Sequence, residues 1–240
     1  MSVKKLLVAV LLSAGLSSLA GAQTTAPGVS VPATSEQGLA ESDKPEPSAL
    51  ADEAARPEVT AAEKEAFQAI ALCFALRSKG RNEEAKKKAE GVLRLLENPG
   101  SYRGFYMRGL AQQELGNVDS ALADYDKSIQ LNPRWGIVYY SRGMAYAARR
   151  DHDRAIADFD RVIKLSPRQA DIYVRRGDAY SGKGDHVHAI ADYSEAIRLK
   201  PDLIPAFKNR ATAYEKAGDK TKAQADRERA AELEKQVEKR

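Results

Sequence analysis

From residue 102 onward, aromatic, small and proline positions recur along the chain at a fixed interval of 34 residues. The prolines of this series are Pro133, Pro167 and Pro201. The aromatic series is Phe105, Tyr139, Tyr173 and Phe207, and the small-residue series is Gly109, Gly143, Gly177 and Ala211. A fixed period between about 20 and 50 residues is typical of proteins built from stacked repeats. The pattern therefore predicts a repeat architecture.

Each interval has the polarity pattern of two short helices. The aromatic residue, the small residue and a third position share one face of the first helix, and that third position holds Gln112, Tyr146, Tyr180 and Tyr214. Turn residues follow at Gly116-Asn117, Arg150-Asp151, Gly184-Asp185 and Gly218-Asp219. The second helix carries an alanine and then Tyr125, Phe159 or Tyr193, with Arg227 breaking this series. Because each unit leaves an apolar face that only a neighbour covers, we expect an all-α solenoid.

These residues resemble the tetratricopeptide repeat family, whose pattern is an aromatic residue, then Leu-Gly, then Tyr, later Ala-x-x-x-Phe and finally Pro. Residues 102–135, 136–169 and 170–203 match the pattern, and 204–240 is a divergent fourth repeat with a charged C-terminal capping helix. The resemblance implies a right-handed superhelical solenoid of helix-turn-helix repeats.

Arginine stands where the family usually has leucine, and aspartate recurs in register in the second helix. The arginines are Arg108, Arg142, Arg176 and Arg210, and the aspartates are Asp124, Asp158, Asp192 and Asp226. A hairpin brings the two series to the same height, and arginine is suited to bidentate pairing with carboxylates. We predict a structural Arg–Asp ladder, with an anion-binding arginine row as the alternative. The sequence leaves open whether each pair lies within one repeat or between two.

Upstream of the full repeats, residues 61–101 have the pattern of a degenerate, repeat-like helical hairpin. Its small and apolar positions are Ala69, Cys73, Leu76, Gly80, Ala85 and Ala89. Its last turn, Asn98-Pro99-Gly100, departs from the 34-residue period by about two residues. Whether this segment is a true repeat stays open. Cys73, at a small-residue position, is expected to be a buried and inert thiol.

The N-terminus has the features of an export signal. Lys4 and Lys5 precede an apolar run, and Ala20-Gly21-Ala22 supplies the small residues that signal peptidase requires. We predict a signal peptide over 1–22, cleavage before Gln23, and no membrane span afterwards. Residues 23–60 follow as a disordered, proline-rich linker with two basic and seven acidic residues, a net charge of −5. The bacterial periplasm is the expected location, with secretion as the alternative.

Composition and motifs argue against catalysis and metal binding. The chain has 38 basic and 34 acidic residues, three histidines and a single cysteine, which excludes an intramolecular disulfide framework. His186 and His188 are two positions apart, which places them on different faces of a helix and disfavours a metal site. The sequence contains no metalloprotease, nucleophile-elbow or phosphate-loop motif. We predict a protein that is not an enzyme, needs no cofactor or metal, and binds no nucleic acid.

The resemblance also implies a function, because in this family the first helix of each repeat lines a groove that holds a partner segment. The apolar residues at groove positions are Phe74, Tyr106, Leu110, Ile137, Tyr140 and Met144. We expect these six residues to contact a protein or peptide partner, because exposed apolar clusters mark interaction sites. The alternative for these residues is that they belong to the core. The alternative function is a self-associating adaptor whose groove holds another copy or the chain's own linker.

Overall fold

The computed structural model describes residues 58–238, which contain ten helices and no strand. The first hairpin is α1 (Ala61–Arg77) with α2 (Asn82–Leu95). The next three are α3 (Tyr102–Glu114) with α4 (Val118–Leu131), α5 (Gly136–Ala148) with α6 (His152–Leu165), and α7 (Ala170–Gly182) with α8 (His186–Leu199). The fifth is α9 (Ile204–Lys216) with the longer α10 (Lys220–Glu238). The chain is an all-α solenoid of helix-turn-helix units.

Local signals in the sequence explain where several helices begin. Thr60 caps α1 with its hydroxyl, and Glu63 reaches back to the Thr60 amide, which completes a capping box. Asp151 and Asp185 accept hydrogen bonds from amides in the first turns of α6 and α8. Ser101 does the same at the start of α3. These side chains satisfy amides that have no partner inside a helix.

The turn inside each full repeat requires one residue in the left-handed region of the backbone. Gly116, Gly184 and Gly218 have φ of 83°, 80° and 87°, values that glycine adopts without steric cost. Arg150 holds the same place in its repeat with φ of 61°. The second full repeat therefore makes this turn with a residue that has a Cβ.

The core of each hairpin forms where the two helices approach closely. Tyr125, Phe159 and Tyr193 are buried, and each lies against the glycine of the small-residue series in the preceding helix. In the fifth hairpin Arg227 is exposed, and its guanidinium forms an ion pair with Glu215 on the surface. The aromatic ring at the hairpin contact is thus replaced by a surface charge in the last unit.

The hairpins stack so that their first helices form an inner layer. From α3 onward each first helix contacts the first helices of neighbouring hairpins as well as the preceding second helix. No pair of successive second helices in the described residues has a comparable contact. The connection between hairpins has four residues at 132–135, 166–169 and 200–203 but six at 96–101. The first hairpin therefore joins the array out of register by two residues.

The expected signal peptide, 1–22, lies outside the described residues, and so does the expected linker up to residue 57. Within residues 58–238, none of the helices combines the length and apolar character needed to cross a membrane.

Candidate functional site

The inner face of the first helices carries five of the six side chains that the sequence predicts as partner contacts. They are half-buried and rest on the hydrophobic core while leaving part of their surface accessible: Phe74 on α1, Leu110 on α3, and Ile137, Tyr140 and Met144 on α5. We call these five residues the inner apolar patch. The Tyr140 ring is anchored at one side by Phe159, with the ring centroids 6.2 Å apart. The patch spans the inner layer of three consecutive hairpins.

Tyr106, the sixth predicted contact, belongs to the core instead. Its side chain is 2% exposed, because the Trp135 ring lies edge-on 4.9 Å away and Tyr125 packs at 6.0 Å between ring centroids. The Tyr106 hydroxyl lies 3.3 Å from Ser141 Oγ, and burial raises the pKa of Tyr106 to about 12. The expectation that Tyr106 offers its ring to a partner is corrected, because the ring is part of the hydrophobic core.

The inner face turns polar beyond α5. Asp178 on α7 stands where α3 and α5 carry Leu110 and Met144. Its carboxylate accepts hydrogen bonds from the Tyr193 hydroxyl at 2.9 Å and from the Asn209 amide at 2.7 Å. Burial raises the pKa of Asp178 above its ordinary value. One end of the inner face is therefore apolar, and the other presents a hydrogen-bonded carboxylate.

The predicted arginines and aspartates meet within each full repeat. Each arginine donates from Nε and Nη2 to both oxygens of the aspartate 16 residues later, at N···O distances between 2.6 and 3.2 Å. The pairs are Arg108–Asp124, Arg142–Asp158, Arg176–Asp192 and Arg210–Asp226. The four aspartates are buried. These pairs lie within one repeat, and the remaining nitrogen of each guanidinium shows whether there is also a contact between repeats.

That remaining nitrogen, Nη1, reaches back to the preceding hairpin. Arg142 and Arg176 donate from Nη1 to Asp126 and Asp160, each at 2.5 Å and each 16 residues earlier in the chain. Arg210 donates from Nη1 to the Ser194 hydroxyl, which is also 16 residues earlier. Arg108 uses the backbone oxygens of Leu96 and Glu97. Each ladder arginine thus holds its own hairpin and the one before it, and Asp126, Asp160 and Ser194 are members that the sequence prediction missed.

The electrostatics of the ladder are those of a structural element. Hydrogen bonds to Asp192, which outweigh the cost of burial, raise the pKa of Arg176 above its ordinary value, and Asp226 does the same for Arg210. Every guanidinium edge faces oxygen acceptors of the chain itself. An anion arriving at this row would meet carboxylates, so the geometry favours the structural interpretation.

His188 and Cys73, which were considered for metal binding and nucleophilic chemistry, make other contacts, whereas the buried Nδ1 of His186 has no hydrogen-bond partner within the described part of the chain. His188 bonds Asp185 through Nδ1 at 2.7 Å and stacks on Tyr180. Cys73 is 2% exposed, and its thiol lies 3.2 Å from the Ala85 carbonyl oxygen. Between residues 58 and 238, no group of three or more His, Cys, Asp or Glu side chains is placed to hold a metal ion.

Comparison with known proteins agrees with this geometry. Two family models, both described as tetratricopeptide repeat, match residues 102–135 and 140–204. A crystal structure of MamA superposes with a TM-score of 0.59 and 27% identity, covering 70% of this chain and 98% of that one. A second MamA crystal structure gives 0.58 and 26%, covering 73% and 95%. No curated protein matches the chain in sequence.

A more distant structure shows the same fold. MamA from Desulfovibrio magneticus RS-1, residues 41 to the end, gives a TM-score of 0.61 at 21% identity and covers 74% of this chain and 98% of that one. Repeats of this kind serve as scaffolds for interactions between proteins. The matched repeats, the hairpin geometry and these structural relatives together show that residues 102–135 and 140–204 form tetratricopeptide repeats.

Proposed function

We propose that this protein is a non-catalytic scaffold of the bacterial cell envelope that binds a segment of a partner protein along the inner face of its first helices. One observation carries the proposal: the inner apolar patch stays half-buried on a face where a solenoid repeat ordinarily presents polar groups to water. Apolar side chains clustered on an accessible face tend to mark interaction sites.

The packing under the patch suits it for recognition. Tyr106 and Phe159 belong to the buried core against which the patch side chains pack. A preorganised surface loses less conformational entropy on binding than a mobile one. Tyr140 presents an anchored aromatic ring, and tyrosine is enriched among the residues that dominate the energy of interfaces.

The N-terminal sequence supports the envelope part of the proposal. Lys4, Lys5, the apolar run and Ala20-Gly21-Ala22 have the order of a cleavable signal. N-terminal sequencing of the protein recovered from the periplasm should return Gln23. Recovery of a chain that begins at Met1 or Ser2 would contradict export by this route.

The experiment for partner binding places a photo-crosslinking amino acid at Tyr140 and, as a matched control, at Tyr173, which is half-buried outside the patch. Crosslinking in cells should give an adduct at position 140 and none at 173. The double variant Tyr140→Ala with Leu110→Ala should weaken capture of that partner by about 2 kcal/mol or more while leaving the helical circular dichroism unchanged. Early melting of the double variant would instead assign these side chains to the core.

Self-association is the second candidate, in which the inner face holds another copy or the chain's own linker. It rests on charge, because residues 23–60 carry −5 and residues 61–240 carry +7. Exposed charges more than about 10 Å apart are largely screened at physiological salt, so this attraction is weak. Sedimentation of the purified protein distinguishes the two candidates. A dimer that the Tyr140→Ala, Leu110→Ala variant dissociates would favour self-association through another copy.

A further inference from the structure

A cleft of about 390 Å³ opens on the side of α3 that faces away from the inner layer. Arg108 and Gln112 of α3 form one side, Ser120 and Asp124 of α4 another, and the preceding hairpin contributes Leu93 and Glu97. Successive helical residues are rotated by 100°, so Arg108 and Gln112 point away from the face that carries Leu110. The cleft is therefore separate from the inner apolar patch.

The later repeats fill the equivalent place with an aromatic ring stacked against a cationic or imidazole side chain. Counting in steps of 34 residues from Gln112 gives Tyr146, Tyr180 and Tyr214, and from Ser120 gives Arg154, His188 and Lys222. Arg154 lies 4.6 Å from the Tyr146 ring centroid, His188 lies 5.0 Å from that of Tyr180, and Lys222 lies 5.4 Å from that of Tyr214. The first full repeat has Gln112 and Ser120 at both positions, and the space stays open.

The ladder arginines differ in the number of aromatic rings that lie near them. Arg142 has two rings nearby, with its Cζ 5.7 Å from the centroid of Tyr139 and 5.9 Å from that of Tyr146. Arg210 has two rings as well, both at 5.7 Å. Arg108 and Arg176 each have one such ring among the described residues, that of Phe105 at 5.4 Å and that of Tyr173 at 5.7 Å. The Arg108 side chain also lines the cleft.

The edges of the Arg108 guanidinium are already used. Nε and Nη2 donate to Asp124, and Nη1 donates to Glu97 O at 2.6 Å and Leu96 O at 3.4 Å. An anion would therefore find few free donors and would meet the Asp124 carboxylate. A flat aromatic ring needs the face of a guanidinium and leaves its edge bonds intact, and such contacts are favourable.

We propose that this cleft, which we call the Arg108 cleft, receives an aromatic side chain of a partner polypeptide that stacks on Arg108. The incoming ring takes the place that Tyr146 has beside Arg142, with Leu93 contacting its edge. The partner thereby completes the repeat that the chain itself leaves without its second ring.

The chain offers no ring of its own for this role. Residues 1–57 and 239–240, which lie outside the described part, contain no Phe, Tyr or Trp. Every aromatic side chain between residues 58 and 238 is buried or half-buried, and the exposed large apolar residues there are Leu72, Leu131, Val187 and Val237. A ring presented by a different protein is therefore the occupant that the observations favour.

The test uses ¹⁵N-labelled protein with N-acetyl-L-tyrosinamide as the probe and N-acetyl-L-leucinamide as its aliphatic match. Tyrosinamide should shift the amide signals of Gln112 and Ser120 and the Nε–H signal of Arg108, with at least tenfold tighter binding than leucinamide. Equal binding of the two probes, or shifts confined to other residues, would overturn the proposal.

Two variants close the cleft by filling it with side chains that later repeats use. Gln112→Tyr with Ser120→Arg copies the Tyr146–Arg154 stack and should weaken tyrosinamide binding at least tenfold. Ser120→Arg alone, at an exposed position, serves if the double variant folds poorly, and should weaken it in the same direction. Gln130→Tyr, an exposed control for the added ring, should leave binding unchanged.

Unaltered binding to both cleft variants would refute the site. Because these variants leave the inner apolar patch untouched, the result is independent of the proposed function. A homodimer that Gln112→Tyr dissociates would assign the cleft to a second copy and overturn the choice of a foreign partner.

Discussion

Gly109 and Tyr125 occupy complementary space: a Cβ at Gly109 would lie 2.6 Å from Tyr125 Cε1. The same relationship holds between Gly177 and Tyr193, where the corresponding distance is 2.7 Å. Real Cβ atoms do not approach ring carbons so closely, and a buried ring held on all sides cannot move away without cost. The close approach of the two helices therefore depends on the absence of a side chain at these positions.

Gly177→Ala should destabilise the protein by about 1–3 kcal/mol, because the added methyl group overpacks the contact with Tyr193. Chemical denaturation followed by circular dichroism measures the change. Gly91→Ala is the matched control, since Gly91 lies inside α2 and a methyl group there would meet no atom within 4 Å. It should stabilise by about 0.5–1 kcal/mol through helix propensity. Destabilisation by both substitutions alike would argue against the overpacking account.

The two carboxylates that bind Arg142 should differ in importance. The Asp158 side chain is 6% exposed and that of Asp126 is 48% exposed. Arg142→Leu leaves the buried Asp158 carboxylate without its partner, so this substitution alone should lower the free energy of unfolding by about 3–5 kcal/mol. The exposed bond to Asp126 should contribute about 0–1 kcal/mol.

Double-mutant cycles on unfolding free energies measure both couplings. Arg142→Leu combined with Asp158→Leu should recover most of the loss, whereas combination with Asp126→Ala should be close to additive. Absence of coupling between Arg142 and Asp158 would reject the ladder as a stabilising element.

Arg150→Gly should stabilise the protein by about 1 kcal/mol, because a residue with a Cβ in the left-handed region is strained by roughly that amount. The three equivalent turns use Gly116, Gly184 and Gly218. Arg150→Ala is the control, and it should give no gain because alanine retains the Cβ. Equal stabilisation by both would point to the arginine charge as the cause, and thermal unfolding separates the two results.

The Cys73 thiol should be unreactive in the folded protein. Burial, together with the negative charge of Glu114, raises the pKa of Cys73 from 9.0 to about 11. At pH 8 this lowers the thiolate fraction about 100-fold, and only the thiolate attacks a disulfide reagent. A colorimetric thiol assay should therefore show reaction after addition of denaturant and almost none before it. Rapid reaction of the native protein would show that the first hairpin opens readily.

Much of the architecture follows from the 34-residue period, because each unit repeats the same contacts between neighbours. The burial of Tyr106 does not follow from the period, because assigning groove positions within one repeat takes no account of side chains that the next repeat contributes. Trp135, in the connection ahead of α5, and Ser141 on α5 close over the Tyr106 ring. The other five predicted contacts lie on the inner face as their places within the repeat predict, and the ring of Tyr140 packs against Phe159 of its own hairpin.

The hydrogen bonds from the ladder arginines to the preceding hairpin have only a partial pattern in the sequence. Asp126 and Asp160 are 34 residues apart, but Ser194 interrupts the series at its third member. The Arg108 cleft has its own signal, the substitution of Gln112 into a series of tyrosines. A break of this kind does not show whether neighbouring side chains fill the space, and the structure shows that a cleft remains there.

Arg142 and Arg176 each bond an aspartate in their own hairpin and one in the preceding hairpin. Because of this, the ladder charges in the middle of the array tolerate changes in the number of repeats. If recombination within the gene removed residues 136–169 as one block, Asp126 would arrive where Asp160 now meets Arg176, and the charges would stay matched. Duplication of residues 136–169 would keep the ladder charges matched in the same way. Arg108 and Arg210, which rely on Glu97 O and on Ser194, make the two ends non-exchangeable. As far as the ladder charges are concerned, the array can therefore lengthen or shorten over evolutionary time by whole units inserted between fixed termini.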